Sequence, residues 1–140
     1  MGYYTNYSDE ITIDPPLSWD EILEIPEYYD EEDMWGEKDV TLDVTEERVN
    51  TSEGLLIRRT GNSIVPWQED SYKGYDMIEH VQYIVDKFGD SHRFKGYISA
   101  EGEEAGDIWR LYVIDGKAQA VKAIIVWPEI VEPTITWPEV

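Results

Sequence analysis

Apolar and polar residues alternate along several short stretches of the sequence, and this two-residue period constrains the fold more than any other feature. The alternation is clear at residues 40–44, 93–100 and 107–114. Successive side chains of a strand point to opposite faces of a sheet, so each stretch predicts a strand with one buried face. Asp115 and Gly116 then form a two-residue hairpin signal. The sequence therefore predicts an antiparallel sheet.

A further strand is expected at the start of the chain, where aromatic and β-branched residues occur from Tyr3 to Ile13. Pro15 and Pro16 follow this stretch closely. Because proline has no amide hydrogen to donate to a neighbouring strand, we expect these two residues to end the strand.

One segment has a helical period instead. Within residues 75–88, apolar side chains recur three and four positions apart, and Gly89 supplies a stop signal. Ser18 and Glu21 have the spacing of a capping box, which predicts a short helix at residues 18–24. We therefore predict an α+β fold, in which one principal helix packs on one face of an antiparallel sheet of five or six strands and a second short helix lies nearby.

The chain has 140 residues, the size of a single domain. We assign residues 1–127 to that domain and residues 128–140 to an extended tail. The tripeptide Trp-Pro-Glu occurs at residues 127–129 and again at 137–139, and proline restricts both copies to sheet edges or extended segments. The tail is expected either to lie as a strap on its own domain or to dock on a neighbouring subunit, which would give a homo-oligomer.

The formal net charge is −20, and the acidic residues are concentrated at the start of the chain. The first 47 residues contain 16 acidic side chains and only one basic side chain, Lys38. Such a field repels nucleic acids and anionic membranes and attracts basic proteins. We therefore expect no direct binding to nucleic acid or membrane, and a basic protein as partner.

Cysteine is absent from the sequence, which excludes thiol nucleophiles, disulfides and cysteine-bound zinc. No apolar run is long enough for a membrane span, no signal peptide is recognisable, and no phosphate-binding glycine motif occurs. We expect a cytoplasmic protein without a cofactor. His80 and His92 have no accompanying serine or cysteine motif, so a catalytic triad is not supported.

An acidic segment between Glu27 and Asp39 is interrupted by aromatic residues. These rings either fix a loop to the domain or form a contact surface, because tyrosine and tryptophan contribute strongly at interfaces. The candidate binding residues of this segment are Tyr28, Tyr29, Asp30, Glu31, Glu32, Asp33 and Trp35. Tyr72 and Tyr75 precede the predicted helix, where they either cover a sheet edge or contact a ligand.

Four carboxylates lie close together in a glycine-containing stretch between two predicted strands. They are Glu101, Glu103, Glu104 and Asp107. Oxygen ligands converging in a loop could bind Ca²⁺ or Mg²⁺, although this spacing matches no established metal loop. A solvated turn is the alternative.

Three motifs resemble those of an uncharacterised family of small acidic proteins from actinobacteria and their bacteriophages. They are MGYYT at the start, SYKGYD at residues 71–76, and GEEAGDIWR at residues 102–110. The resemblance implies an origin in a phage or mobile element but no known activity.

These observations favour a non-enzymatic protein that binds a basic host protein through an acidic surface. Imitation of nucleic acid by its carboxylates is one version of this hypothesis. The alternatives are a metal-dependent or small-molecule enzyme that uses the loop 101–107, and a self-assembling structural module.

Overall fold

The computed structural model describes residues 3–25, 39–67, 71–74, 76–126 and 134–138. Its main feature is a six-stranded antiparallel sheet. The strands in chain order are β1 (Thr5–Ser18), β2 (Val40–Thr51), β3 (Gly54–Pro66), β4 (Arg93–Gly102), β5 (Ile108–Ile114) and β6 (Lys117–Lys122). Their order across the sheet is β2-β3-β1-β4-β5-β6. β1 thus lies in the interior of the sheet, and β2 and β6 form its edges.

The prediction of an α+β fold with a principal helix packed on one face is wrong. Strands account for 61% of the described residues, whereas the helices α1 (Trp19–Ile22) and α2 (Met77–Phe88) span only 4 and 12 residues. The strands are much longer than the alternation of apolar residues indicates. The hydrogen-bonded ladder between β2 and β3 continues to Thr51 and Gly54, because cross-strand partners extend strands beyond the segment that the core buries.

The expectation that two prolines end the first strand is also wrong, since β1 continues through Pro15 and Pro16 to Ser18. On one side, β1 pairs with β4 as far as Asp14. On the other side, its pairing with β3 is interrupted between Thr12 and Leu17. The prolines lie within this interruption, so their missing amide hydrogens cost no ladder hydrogen bond.

The capping box at the start of α1 is confirmed. The Glu21 amide donates to Ser18 Oγ at 3.2 Å, and the Ser18 amide donates to Glu21 Oε1 at 3.0 Å. These two bonds satisfy backbone donors that have no partner within the helix. The helix ends earlier than predicted, at Ile22, whose side chain is buried.

The buried apolar residues of the sheet and of the helices form one core cluster. The sheet contributes Tyr7, Ile11, Ile13, Leu17, Val40, Leu42, Ile64, Ile98, Ala100 and Leu111, and α2 contributes Met77, Val81, Ile84, Val85 and Phe88. Alternate residues of β1 are therefore buried, while Ser8, Glu10 and Thr12 are exposed. This leaves the second face of the sheet, which we call the outer face, accessible at β1.

Two short strands form a separate two-stranded sheet, β7 (Ile124–Val126) with β8 (Thr134–Thr136). β8 belongs to the segment that the sequence assigns to the tail, and the boundary at residues 127 and 128 stays a prediction. No helix in the described ranges is both long and apolar enough to cross a membrane.

Candidate functional site

Strands β1 and β3 separate on one side of Ile11, and a cleft opens between them. In the described part of the chain, their pairing on this side ends at Ile11 with Ile64. Beyond that point β1 remains paired with β4 as far as Thr5, and β3 remains paired with β2 as far as Pro66. At Thr5 this edge of β1 forms an antiparallel bridge with Tyr72, so only the stretch between Thr5 and Ile11 faces the cleft instead of a neighbouring strand.

Asp9 and Gly96 give β1 and β4 an irregular backbone beside this cleft. Asp9 has a φ of 65°, in the left-handed region that few residues other than glycine adopt. Gly96, in the neighbouring strand β4, has a φ of 95°. A Cβ atom at Gly96 would lie 2.8 Å from the carbonyl oxygen of Glu10, so only glycine fits there without displacing β1.

The cleft has a volume of about 530 Å³ and is open to solvent. Its lining comes from both separated strands and from β2, and consists of Tyr7, Ser8, Asp9, Thr41, Val65, Pro66 and Trp67. A second groove of about 420 Å³ shares Asp9 and Val65 with it and adds Glu10, Gly96 and Tyr97. The shared residues make the two grooves neighbours on the outer face of the sheet.

Two exposed carboxylates lie in these grooves, and serine hydroxyls position them. Ser99 Oγ donates to Asp9 Oδ2, and Ser63 Oγ donates to Glu10 Oε2. Ser63 is only 1% exposed, so it is a fixed anchor for Glu10. Neither carboxylate has a lysine or arginine nitrogen within 4.0 Å among the described residues. Both negative charges are therefore available to a ligand.

The floor of the cleft is built from neutral aromatic residues. The rings of Tyr7 and Tyr72 lie 4.8 Å apart. Tyr72 Oη donates to the carbonyl oxygen of Asp39 and accepts from the Trp67 amide at 3.0 Å. Burial raises the pKa of Tyr72 well above its usual range, and burial also raises the pKa of Tyr7. Both phenols are therefore uncharged at neutral pH, and the charge of the cleft comes from its carboxylates.

An arginine already lies between aromatic rings on the outer face. The guanidinium carbon of Arg110 lies 4.2 Å from the ring centroid of Tyr97 and 3.8 Å from that of Trp137. Tyr97 also contacts the Tyr112 ring at 5.3 Å. Guanidinium groups are attracted to the faces of such rings. The aromatic residues of this face are therefore suited to cationic side chains.

The residues predicted to bind a partner are only partly described. Tyr28, Tyr29, Asp30, Glu31, Glu32, Asp33, Trp35 and Tyr75 lie outside the described residues. Tyr72 is 8% exposed. Its hydroxyl group joins the residue before β2 to the residue after β3, and its backbone pairs with Thr5 of β1. The structure thus gives Tyr72 a supporting position below the cleft, and direct contact with a ligand stays a prediction.

The four carboxylates predicted to bind a metal lie near the start of the chain, and two of them contact it. Tyr3 Oη donates to Asp107 Oδ2 at 2.7 Å, and the Tyr4 amide donates to Glu103 Oε1 at 3.1 Å. The Glu104 amide donates to Tyr3 Oη at 2.8 Å. Across the residues that the structure describes, no group of three or more His, Cys, Asp or Glu side chains is placed to bind a metal ion. The enzyme hypothesis based on Glu101 and these neighbours stays a prediction.

Sequence reasoning missed Asp9 and Trp67, which line the cleft, and Glu10, which lines the neighbouring groove. A carboxylate in the middle of a strand normally indicates the solvent-exposed face of the sheet. Nothing in the local sequence indicates that residue 9 has a left-handed backbone conformation. Pro66, at the end of β3, is the one available signal, because proline stops ladder pairing.

Comparison with known proteins gives a family but no function. No curated protein and no solved structure matches the chain. The sequence profile of a family of unknown function, DUF6205, matches residues 1–133. This confirms that the chain resembles an uncharacterised family, and we conclude that it belongs to DUF6205.

Proposed function

We propose that this protein is a non-enzymatic binding protein, and that the cleft between β1 and β3 takes a basic, extended segment of a partner protein. The observation that carries this proposal is the cleft itself. Together with the groove beside it, the cleft combines two carboxylates without a basic partner in the described chain, Asp9 and Glu10, with the exposed ring of Trp67. It also contains a short stretch of β1 backbone that has no strand partner on this side among the described residues.

Charge supports a basic ligand. The chain has a net charge of −20, so its long-range field attracts cations and accelerates their association. Asp9 and Glu10 give this field a local acceptor, and lysine or arginine can bond to the carboxylate oxygens that serine does not engage.

The open edge of β1 supports an extended ligand. A peptide strand added to an exposed sheet edge gains main-chain hydrogen bonds, and side-chain pockets determine its specificity. In the cleft, the backbone of Tyr7 and Asp9 would provide the edge, because alternate residues of a strand direct their backbone groups to the same side and Thr5 uses this side to bond Tyr72. Trp67 and Tyr97 would contact the aliphatic stems of basic side chains.

The biological partner would be a host protein if the chain comes from an actinobacterial phage, as the sequence motifs imply. In the version that involves nucleic-acid mimicry, the partner would be a DNA-binding protein, and DNA would compete with this chain for it. A basic partner without DNA-binding activity is the simpler version.

Isothermal titration calorimetry with a synthetic peptide of alternating lysine and valine tests the proposal. We expect saturable binding that weakens as salt is added, because exposed charges are screened. Asp9→Asn and Glu10→Gln should each weaken binding by about threefold to tenfold. Asparagine tolerates the left-handed conformation of position 9, so the backbone is retained.

The matched control is Glu79→Gln, which removes one exposed carboxylate from α2 and should leave the affinity unchanged. A peptide of alternating glutamate and valine keeps the capacity for strand addition but carries the opposite charge, and we expect no binding. Equal losses of affinity in Asp9→Asn and Glu79→Gln would show that only the overall charge matters and would overturn the assignment to the cleft.

A further inference from the structure

The hairpin of β2 and β3 extends beyond the rest of the sheet. β3 pairs with β1 only over residues 60–64, whereas its pairing with β2 continues to the turn between Thr51 and Gly54. We call residues 46–59 the arm. In the described structure, neither strand of the arm pairs with a further strand. At the base of the arm, the guanidinium carbon of Arg59 lies 4.9 Å from the centroid of the Trp19 ring.

The arm exposes four large apolar side chains. Val49, Leu55, Leu56 and Ile57 are exposed at 36%, 55%, 46% and 42%. Apolar side chains that are clustered on an exposed surface mark an interaction site more often than single ones do. These side chains lie on a projecting hairpin whose edges have no strand partner in the described ranges, a place where another chain can approach.

The arm is also electrically neutral in a strongly acidic chain. Three arginines, at 48, 58 and 59, balance three glutamates, at 46, 47 and 53. The whole net charge of −20 therefore arises from residues outside the arm. Two copies of this chain repel each other over most surfaces, and the arm is a surface where they can meet without opposing net charges.

One face of the arm is complementary to itself. Glu47 lies opposite Arg58 in the ladder, and Val49 lies opposite Leu56. Residues two apart share a face, so these four side chains form one patch with an apolar pair beside a charged pair. If a second copy is rotated by a twofold axis along the hairpin, its Arg58 faces Glu47 and its Leu56 faces Val49. Such a patch meets the requirement of a symmetric dimer, in which the same surface is used twice.

We propose that the arm is a dimerisation surface and that its occupant is a second copy of this chain. The contact is the patch of Glu47, Val49, Leu56 and Arg58, packed face to face around a twofold axis. This dimer leaves the cleft between β1 and β3 outside the contact, so it is independent of the proposed function.

Charge reversal tests the pairing of the two copies. Arg58→Glu places two like-charged pairs in the dimer, and so does Glu47→Arg. In sedimentation equilibrium, each variant alone should dimerise at least about tenfold more weakly than the wild type. An equimolar mixture of the two variants restores both opposite-charge pairs, and we expect heterodimers of wild-type affinity.

The mixture separates dimerisation from folding. Glu47 and Arg58 are also neighbours within one hairpin, so each variant contains a like-charged pair inside its own hairpin. Mixing the two variants leaves this internal repulsion unchanged.

Val49→Thr combined with Leu56→Thr should abolish dimerisation while keeping residues that favour strands. Ile78→Thr, at an apolar position on α2 that is 41% exposed, should have no effect on dimerisation. A wild-type protein that remains monomeric up to its solubility limit, or variants that fail to associate when mixed, would overturn the proposal.

Discussion

His92 Nε2 lies 2.8 Å from Glu21 Oε2, although 71 positions separate the two residues. His92 is 7% exposed, and its other ring nitrogen lies 2.5 Å from the carbonyl oxygen of Pro15. A carbonyl oxygen can only accept, so Nδ1 carries a hydrogen atom. The contact with Glu21 therefore requires a proton on either Nε2 or the carboxyl group. This bond ties the segment after α2 to the end of β1 and the start of α1.

Acid should destabilise the fold through Glu21. Burial acts to raise the pKa of this carboxyl group, but hydrogen bonds from the Ser18 amide and from His92 lower it below the ordinary value of 4.5. A lowered pKa stabilises the folded state above the unfolded value, and this contribution is lost as the pH falls through the folded value. We therefore expect the free energy of unfolding, measured with urea, to fall less in Glu21→Gln than in the wild type as the pH is lowered below about 5. Glu24→Gln, at an exposed position, is the control, and an identical loss in both variants would contradict the prediction.

Tyr72→Phe should destabilise the protein by about 0.5–1.5 kcal/mol, because Phe removes the hydrogen bonds of this hydroxyl group to the Asp39 carbonyl oxygen and the Trp67 amide. These two backbone groups keep their direct hydrogen bond at 3.2 Å. The raised pKa of Tyr72 also implies that stability decreases once the pH rises above about 10, where the phenol ionises in the unfolded chain. Unfolding experiments at neutral and alkaline pH test both effects. Tyr4→Phe, which alters an exposed ring, should change neither, and a Tyr72→Phe variant of wild-type stability would disagree with the described floor of the cleft.

Gly96→Ala should distort the cleft and lower the free energy of unfolding by about 1–3 kcal/mol. The cost has two parts, the unfavourable φ of 95° and the approach of the new Cβ to the Glu10 carbonyl oxygen at 2.8 Å. Gly116→Ala is the matched control, since its φ is 76° and no atom lies within 4 Å of the new Cβ. Chemical denaturation compares the two variants. If Gly116→Ala is the more destabilised, close contact between β1 and β4 is not what excludes a side chain at position 96.

Trp137→Ala should loosen β8, because the Trp137 ring that follows this strand is held against Arg110 of the main sheet. Arg110 would lose one of the two rings that flank its guanidinium group, an interaction worth about 0.5–2 kcal/mol. Amide hydrogen exchange at residues 134–136 should then become faster, and Trp137→Phe, which keeps a ring, should restore most of the protection. Unchanged exchange in Trp137→Ala would show that the contact with Arg110 does not hold β8 in place.

The parts of the fold that depend on local patterns could be predicted from the sequence. The capping box at Ser18, the buried stripe of α2 and the turn at Asp115 and Gly116 each depend on residues close together in the chain. The balance between sheet and helix could not be predicted, because residues 46–51 and 54–59 have no clean alternation. Each of these stretches is a strand because the other supplies its backbone partners.

The candidate site depends on relationships that no local pattern records. The cleft exists because β1 changes its pairing with β3 at Ile11, far from the residues of β3 in sequence. Glu10 is positioned by Ser63, 53 positions away. The composition directs attention to acidic and aromatic residues, but 31 acidic side chains provide too many candidates to select Asp9 and Glu10.

Chemical-shift mapping on ¹⁵N-labelled protein is the most direct test of a basic ligand in the cleft. As the peptide of alternating lysine and valine is added, the largest shifts should occur at the amides of Tyr7 and Asp9 and at the indole of Trp67, and they should be absent in Asp9→Asn combined with Glu10→Gln. Shifts confined to other surfaces, or shifts that persist in this double variant, would contradict the proposed function.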